Sequence, residues 1–129
     1  MRRGALHNEA IRLGCNKTAL GHSLDDWIET FFLSLFYESR IHAFAPVTHL
    51  DRKNIHAIRP LMYAPESDIV GFAKKYGLPI TKNPCPADGH TKRAEIKAFV
   101  KAQTARDPAF PKRMQNAMQQ AAFFPRKDT

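Results

Sequence analysis

Apolar residues recur along this chain at helical spacing in some stretches and in short unbroken runs in others. The alternation between the two outlines its elements. Residues 2–13 put Leu6, Ala10 and Leu13 on one helical face, and Gly14 stops that helix. "KTALG", residues 17–21, reads as a buried strand, and Cys15 before it as a small core residue. From Leu24 the apolar positions Leu24, Ile28, Phe31, Phe32, Leu35 and Phe36 again fall at helical spacing. Residues 46–50 and 55–59 read as a hairpin turning through "DRKN". "PESDIVGFAKKYG" opens on Pro65 and closes on Gly77, the marks of a helix. Residues 79–90 hold three prolines and a glycine and read as a loop. Residues 91–104 and 108–122 read as two more helices. In the second, Phe110, Met114, Ala117, Met118 and Ala121 form a core-like stripe. The order predicts an α/β layer with an α-helical tail.

The junction "ALGHSLDDWIET", residues 19–30, raises a chemical question. Ser23 and Asp26 have the spacing of a capping box, and carboxylates in a first helical turn also suit the helix dipole. Capping accounts for Asp26 and, less fully, Asp25. It does not account for Gly21-His22 at the carboxyl end of the strand, where open α/β sheets bind ligands. Gly21 would let a ligand approach the backbone, and His22 can give or take a proton. Asp25 and Asp26 can hold Mg²⁺ or orient a nucleotide. Glu29, one turn on, extends the acid cluster along the same side.

Composition adds a partner. The 129 residues are 43% hydrophobic and 25% charged, as in a soluble single domain, and no apolar run nears the length of a membrane span. The basic start has no apolar stretch behind it and does not read as a secretory signal. Two distant cysteines fit a reducing cytoplasm or metal chemistry. The net charge is +8, and residues 91–129 carry 9 Lys/Arg against 3 Asp/Glu. That asymmetry fits either a polyanionic partner, nucleic acid first, or a plain basic surface. Arg93, Lys97 and Lys101 form one line along a helix, about 12 Å long at 1.5 Å per residue. Such a line binds successive phosphates or simply faces water, while Ile96, Phe99 and Val100 pack on the other side. His49 and His56 would face each other across the hairpin, but two ligands fall short of a zinc site.

"LGHSLDDWIETFFLSLFY" resembles the L-G-H-x-x-D-D-x-x-E-T segment of the PP-loop ATP pyrophosphatases that modify tRNA. Within that group it is similar to the 2-thiocytidine synthetase type and its 2-thiouridine relatives. Three further stretches agree in order and spacing: "RRGALHNEAIRLGCNKTALGH", "IRPLMYAPESDIVGFAKKYGLP" and "NPCPADGHTKRAEIKAFV". The resemblance implies an adenine-nucleotide α-hydrolase-like, doubly wound Rossmann-like unit over residues 1–82. A cysteine loop and basic helical tail follow over 83–129. It implies ATP, Mg²⁺ and a [4Fe–4S] cluster as cofactors of the intact enzyme, and tRNA as substrate. The base carbonyl is adenylated and sulfur displaces AMP, from the cluster or a sulfur donor protein.

By resemblance, Asp25 and Asp26 are catalytic, and Gly21, His22 and Arg59 sit at the nucleotide. Cys85 is a cluster ligand, and Arg2, Arg3, Lys92, Arg93, Lys97 and Lys101 meet RNA. On its own terms Arg59 is equally a surface arginine at a strand end, and Cys85 a plain thiol. The family's S-G-G-x-D-S loop matches nothing here, and its C-x-x-C pair is absent. The chain thus resembles the carboxyl-terminal half of such an enzyme, expected to be inactive alone. The alternative is a non-catalytic RNA-binding module. With first strands missing, Phe31, Phe32, Leu35 and Phe36 would lack cover. That predicts a weakly stable monomer, a homo-oligomer, or pairing with a chain that supplies the other half.

Overall fold

The computed structural model describes residues 2–50, 54–80 and 91–121, without the side chains of Arg2 and Arg3. In order the elements are α1 (Arg2–Arg12), β1 (Lys17–Ala19), α2 (Leu24–Tyr37), β2 (Val47–Leu50), β3 (Ile55–Ile58), α3 (Glu66–Lys75), α4 (Lys92–Arg106) and α5 (Phe110–Gln120). The strands form one mixed sheet in the order β1-β3-β2. β1 runs parallel to β3, with Thr18 opposite Ala57. β2 runs antiparallel to β3, with His49 opposite His56. The expected hairpin is therefore present, and the two imidazoles stack at 4.5 Å. Among the described residues no group of three or more His, Cys, Asp or Glu side chains could hold a metal ion.

Two helices stop where glycine permits a left-handed turn. Gly14 (φ +81°) and Gly77 (φ +60°) each follow a helix. Cys15 and Leu78 then return their N–H groups to Ala10 and Ala73, at 2.8 and 2.9 Å. Both ends are Schellman motifs.

The core lies between α2 and the tail helices. Leu24, Trp27 and Ile28 pack with Ala43, Met62, Ile96, Val100 and Met118. Phe31, Phe32, Phe99, Phe110 and Met114 close around them. Burial of each large side chain is worth about 1.5–3 kcal/mol. The tail therefore shares one core with α2, and it gives Phe31 and Phe32 the cover that the sequence leaves in doubt. Leu35 and Phe36 stay partly open, at 42% and 50% exposure. Trp27 Nε1 also donates to the Phe44 carbonyl at 2.9 Å, fixing the segment before β2.

Two expectations fail, and one of the two alternatives for Arg59 is removed. Leu6 and Leu13 are exposed. Of the expected face Ala10 is buried, and it is joined on the side toward the sheet by His7, whose Nδ1 lies 3.1 Å from Thr18 Oγ1. A half-polar contact has no signature in apolar spacing. Cys15 is exposed rather than in the core, because the Schellman turn carries it outward. Arg59 is not a surface residue: it is buried, and Nη1 donates to Ala45 O and Thr48 Oγ1 at 2.8 and 2.9 Å.

Trp27 is fully buried. Trp27→Ala is expected to cost about 3–5 kcal/mol, read as a lower urea midpoint. A loss below about 1 kcal/mol would mean that α2 and the tail helices do not share this core.

Candidate functional site

β1 and β3 are parallel neighbours, so the segments that leave them emerge at one edge of the sheet. From β1 the chain passes through Gly21 and His22 into α2. From β3 it passes through Arg59 and Pro60 into α3. The Leu24 N–H donates to Ala64 O at 2.9 Å and ties the two connections together.

The acid doublet closes this corner. Asp26 completes the predicted capping box: its Oδ2 accepts from Ser23 N at 2.8 Å, and its own N–H donates to Ser23 Oγ at 3.2 Å. Asp25 serves the neighbouring helix, its Oδ1 accepting from Glu66 N at 2.7 Å. Pro65, at the N-cap of α3, offers no side-chain acceptor, so Asp25 fills that place from across the corner.

A cleft of about 500 Å³ opens beside the doublet, lined by Gly21, Ser23, Asp26, Glu29, Glu66, Ile69, Thr91, Arg93, Ala94 and Lys97. Gly21 bounds it with bare backbone. A Cβ there would meet nothing within 4 Å, so crowding does not require the glycine, whereas access for a ligand would. A second groove of about 800 Å³ runs between α3 and α4, with Lys74, Lys97 and Lys101 set against Asp25, Glu29 and Glu66.

Glu29 sits between the two hollows and is the residue that sequence reasoning underrated. Its side chain is only 4% exposed. Oε1 lies 3.4 Å from Arg93 Nη1, and Oε2 lies 3.1 Å from Lys97 Nζ. Lys97 also reaches Glu66 Oε1 at 3.4 Å, and Arg93 Nη2 donates to Thr30 Oγ1 at 3.3 Å. The visible signal was an acid one turn beyond the doublet, on a helix otherwise rich in apolar residues.

Burial pushes the Glu29 carboxyl above its usual 4.5, and Asp26 adds to this. The hydrogen bond and charge of Lys97, with the charge of Arg93, only partly offset it. Burial lowers the Lys97 ammonium, but Glu29 and Glu66 outweigh that and leave it raised above 10.5.

The other expected site residues are dispersed. His22 and Arg59 pack on Phe44, at 4.8 Å between rings and 5.0 Å from guanidinium to ring centroid. Of the three residues expected at the nucleotide, Gly21 lines the cleft. Arg93 and Lys97 turn toward Glu29 rather than standing free along the helix. Lys101 faces the second groove, and Lys92 lies over the Tyr37 ring at 5.0 Å. Cys85 and the side chains of Arg2 and Arg3 lie outside the described residues.

Residues 1–104 match the model of the PP-loop domain family. The chain belongs to that family. It is 41% identical over 109 residues to a tRNA-cytidine(32) 2-sulfurtransferase of Syntrophotalea carbinolica, covering 83% of this chain and 42% of the relative. It is 40% identical over 116 residues to that of Teredinibacter turnerae, covering 89% and 37%. The chain thus spans about four-tenths of the length of these curated relatives. In fold it is similar to the U34-tRNA thiolase NcsA from Methanococcus maripaludis, solved with its [4Fe–4S] cluster. The TM-score is 0.68 at 21% identity, covering 93% of this chain and 42% of that one.

The donor chemistry fits one of the implied groups. Asp25 and Asp26 are hard oxygen donors, and Mg²⁺ is held by one or two carboxylates together with substrate phosphates. A cubane cluster needs several thiolates, and the one cysteine among the described residues is the exposed Cys15. The described residues do not make a cluster site.

Because the folded carboxyl of Glu29 is raised, its stabilising contribution is full below 4.5 and is lost as pH rises through the folded value. Glu29→Gln removes that dependence. Relative to the wild type, the variant is expected to gain stability between pH 4 and pH 7 in urea titrations. A difference that moves the other way would mean that the Arg93 and Lys97 pairing outweighs burial.

Proposed function

We propose that this chain is the carboxyl-terminal portion of an ATP-dependent tRNA-thiolating enzyme of the 2-thiocytidine type. Residues 1–82 belong to its nucleotide-binding α/β unit, and residues 83–129 supply Cys85 and the basic helices α4 and α5. The observation that carries the reading is the cleft at the carboxyl edge of β1. Motif residues Gly21, Ser23 and Asp26 wall one side of it, and Arg93 and Lys97 face them from α4. The family match and the tRNA-cytidine(32) 2-sulfurtransferase relatives support it.

In this reading the exposed Gly21 backbone receives the nucleotide, since a side chain there would occupy the space a ligand needs. Asp26 lines the cleft and Asp25 the adjoining groove, each held in a fixed orientation by a backbone N–H at a helix start, and Mg²⁺ would supply positive charge beside them when bound. Lys97, whose ammonium Glu29 and Glu66 favour further, offers a cation to a phosphate. The exposed basic residues of α4 and α5 face the tRNA backbone. The chemistry itself is adenylation of a base carbonyl followed by displacement of AMP by sulfur. It needs a phosphate-binding loop that matches nothing in this sequence, so the chain alone is inactive.

The test is complementation. This chain is combined with one bearing S-G-G-x-D-S and C-x-x-C, iron and sulfide are restored, and ATP-dependent thiolation of tRNA is assayed. Activity is expected only in the mixture. Salt-sensitive tRNA binding with no activity from any matched half would favour a non-catalytic RNA-binding module. A further check is Arg93→Ala, Lys97→Ala and Lys101→Ala combined. The slope of log affinity for RNA against log salt is expected to flatten by up to about 0.7 per lost single-strand phosphate contact. An unchanged slope would remove α4 from the RNA surface.

A further inference from the structure

Lys97 touches two carboxylates that differ in kind. The contact to Glu29 is the shorter, 3.1 Å, and its carboxylate is almost fully buried. The contact to Glu66 is 3.4 Å, and that side chain is 47% exposed. Moving the Glu29 carboxylate would break its links to both Arg93 and Lys97 inside the protein. Moving the Glu66 carboxylate only returns an exposed acid to water. One contact is therefore an anchor and the other is replaceable.

Arg93 and Lys97 lie one turn apart on α4 and are bound to the two oxygens of the same carboxylate. A single group thereby sets the spacing of two cations. Both remain about half exposed, at 47% and 52%, and both line the 500 Å³ cleft. Their remaining N–H groups are available to a second acceptor, since an ammonium carries three donors and a guanidinium five. Burial of an acid against half-solvated cations does not repay its desolvation, so stability alone gives no reason for Glu29. Holding two cations side by side does.

We infer that Glu29 is a positioning residue for a phosphate group in this cleft: it holds Arg93 and Lys97 together, and an incoming phosphate displaces Glu66 from Lys97. The inference rests on the reading of the cleft as a phosphate-binding site. The phosphate is that of a nucleotide or of the RNA backbone, which share the recognition chemistry.

The two acids then have opposite effects, although they carry the same charge. Glu66→Gln removes the competitor and is expected to tighten phosphate binding about twofold to fivefold. Glu29→Gln leaves the cations unordered and is expected to weaken it about threefold or more, despite removing a negative charge. Two acids acting only by repulsion would both give tightening when neutralised.

The experiment uses the full chain and two probes, Mg-ATP and an unmodified tRNA transcript, with circular dichroism confirming that each variant is folded. The probe whose affinity responds identifies the source of the phosphate. Lys97→Ala should weaken binding of that probe. If it changes neither, the cleft is not a phosphate site, and both the reading and the inference fall. If Lys97→Ala weakens binding but Glu29→Gln tightens it, the positioning role alone is overturned. Should Glu29→Gln fail to fold, the Glu66→Gln arm still decides, since no tightening there overturns the displacement.

Discussion

Two helices begin at one place, and most of the site follows from that. Parallel strands end at the same edge of a sheet, so α2 and α3 start there together. Each start presents N–H groups without helical partners and the positive end of a dipole. Set close together, the two ends need acceptors and negative charge between them. Asp26 supplies both to α2, and Asp25 supplies both to α3 through Glu66 N. The acid pair is therefore demanded by the architecture before any ligand arrives. Under the proposed nucleotide reading, the same N–H bonds that tie down the two helix starts would also fix the orientation of the two carboxylates toward the ligand.

The same constraint shapes the charge of the cleft. Asp26, Glu29 and Glu66 line it against Arg93 and Lys97, so the wall carries one negative charge more than positive. A bare phosphate would gain little from entering. A phosphate that brings Mg²⁺, or that takes the place of an existing acid, would gain more. The basic excess of the last third is therefore not concentrated here. Lys92, Lys101, Arg106, Lys112 and Arg113 are exposed on α4 and α5. The cleft and the basic tail surface are thus electrostatically distinct, though α4 contributes to both.

Local signals in the sequence carried far. The two glycine stops, the capping box, the hairpin and the helical spans all follow from spacing and turn chemistry that act over a few residues. What escaped depends on contacts distant in sequence. The reach of Asp25 to Glu66 spans 41 positions, and that of Glu29 to Lys97 spans 68. Nothing local to Lys97 shows that it points at an acid rather than at water. The surface alternative for Arg59 fails for the same reason: its partners Ala45 and Thr48 sit across a hairpin, and only the folded register turns its guanidinium inward. Leu6 and Leu13 failed differently. Periodicity marked an apolar face correctly, but it cannot say whether that face meets anything.

That limit bears on how α3 is held. None of its residues is buried, and Val70 and Phe72 are exposed, as is Tyr76 at its C-cap. At its start it is tied by the Asp25 bond to Glu66 N and by the Glu66 contact to Lys97. A helix secured mainly by polar contacts can yield at modest cost, because water satisfies the same groups. By contrast α2 is fixed by Trp27, Ile28 and their neighbours. The cleft thus has one rigid wall and one compliant wall, with Lys97 touching both. Release of Glu66 by Lys97 would loosen the compliant wall and leave the rigid one, with its buried acid, unmoved.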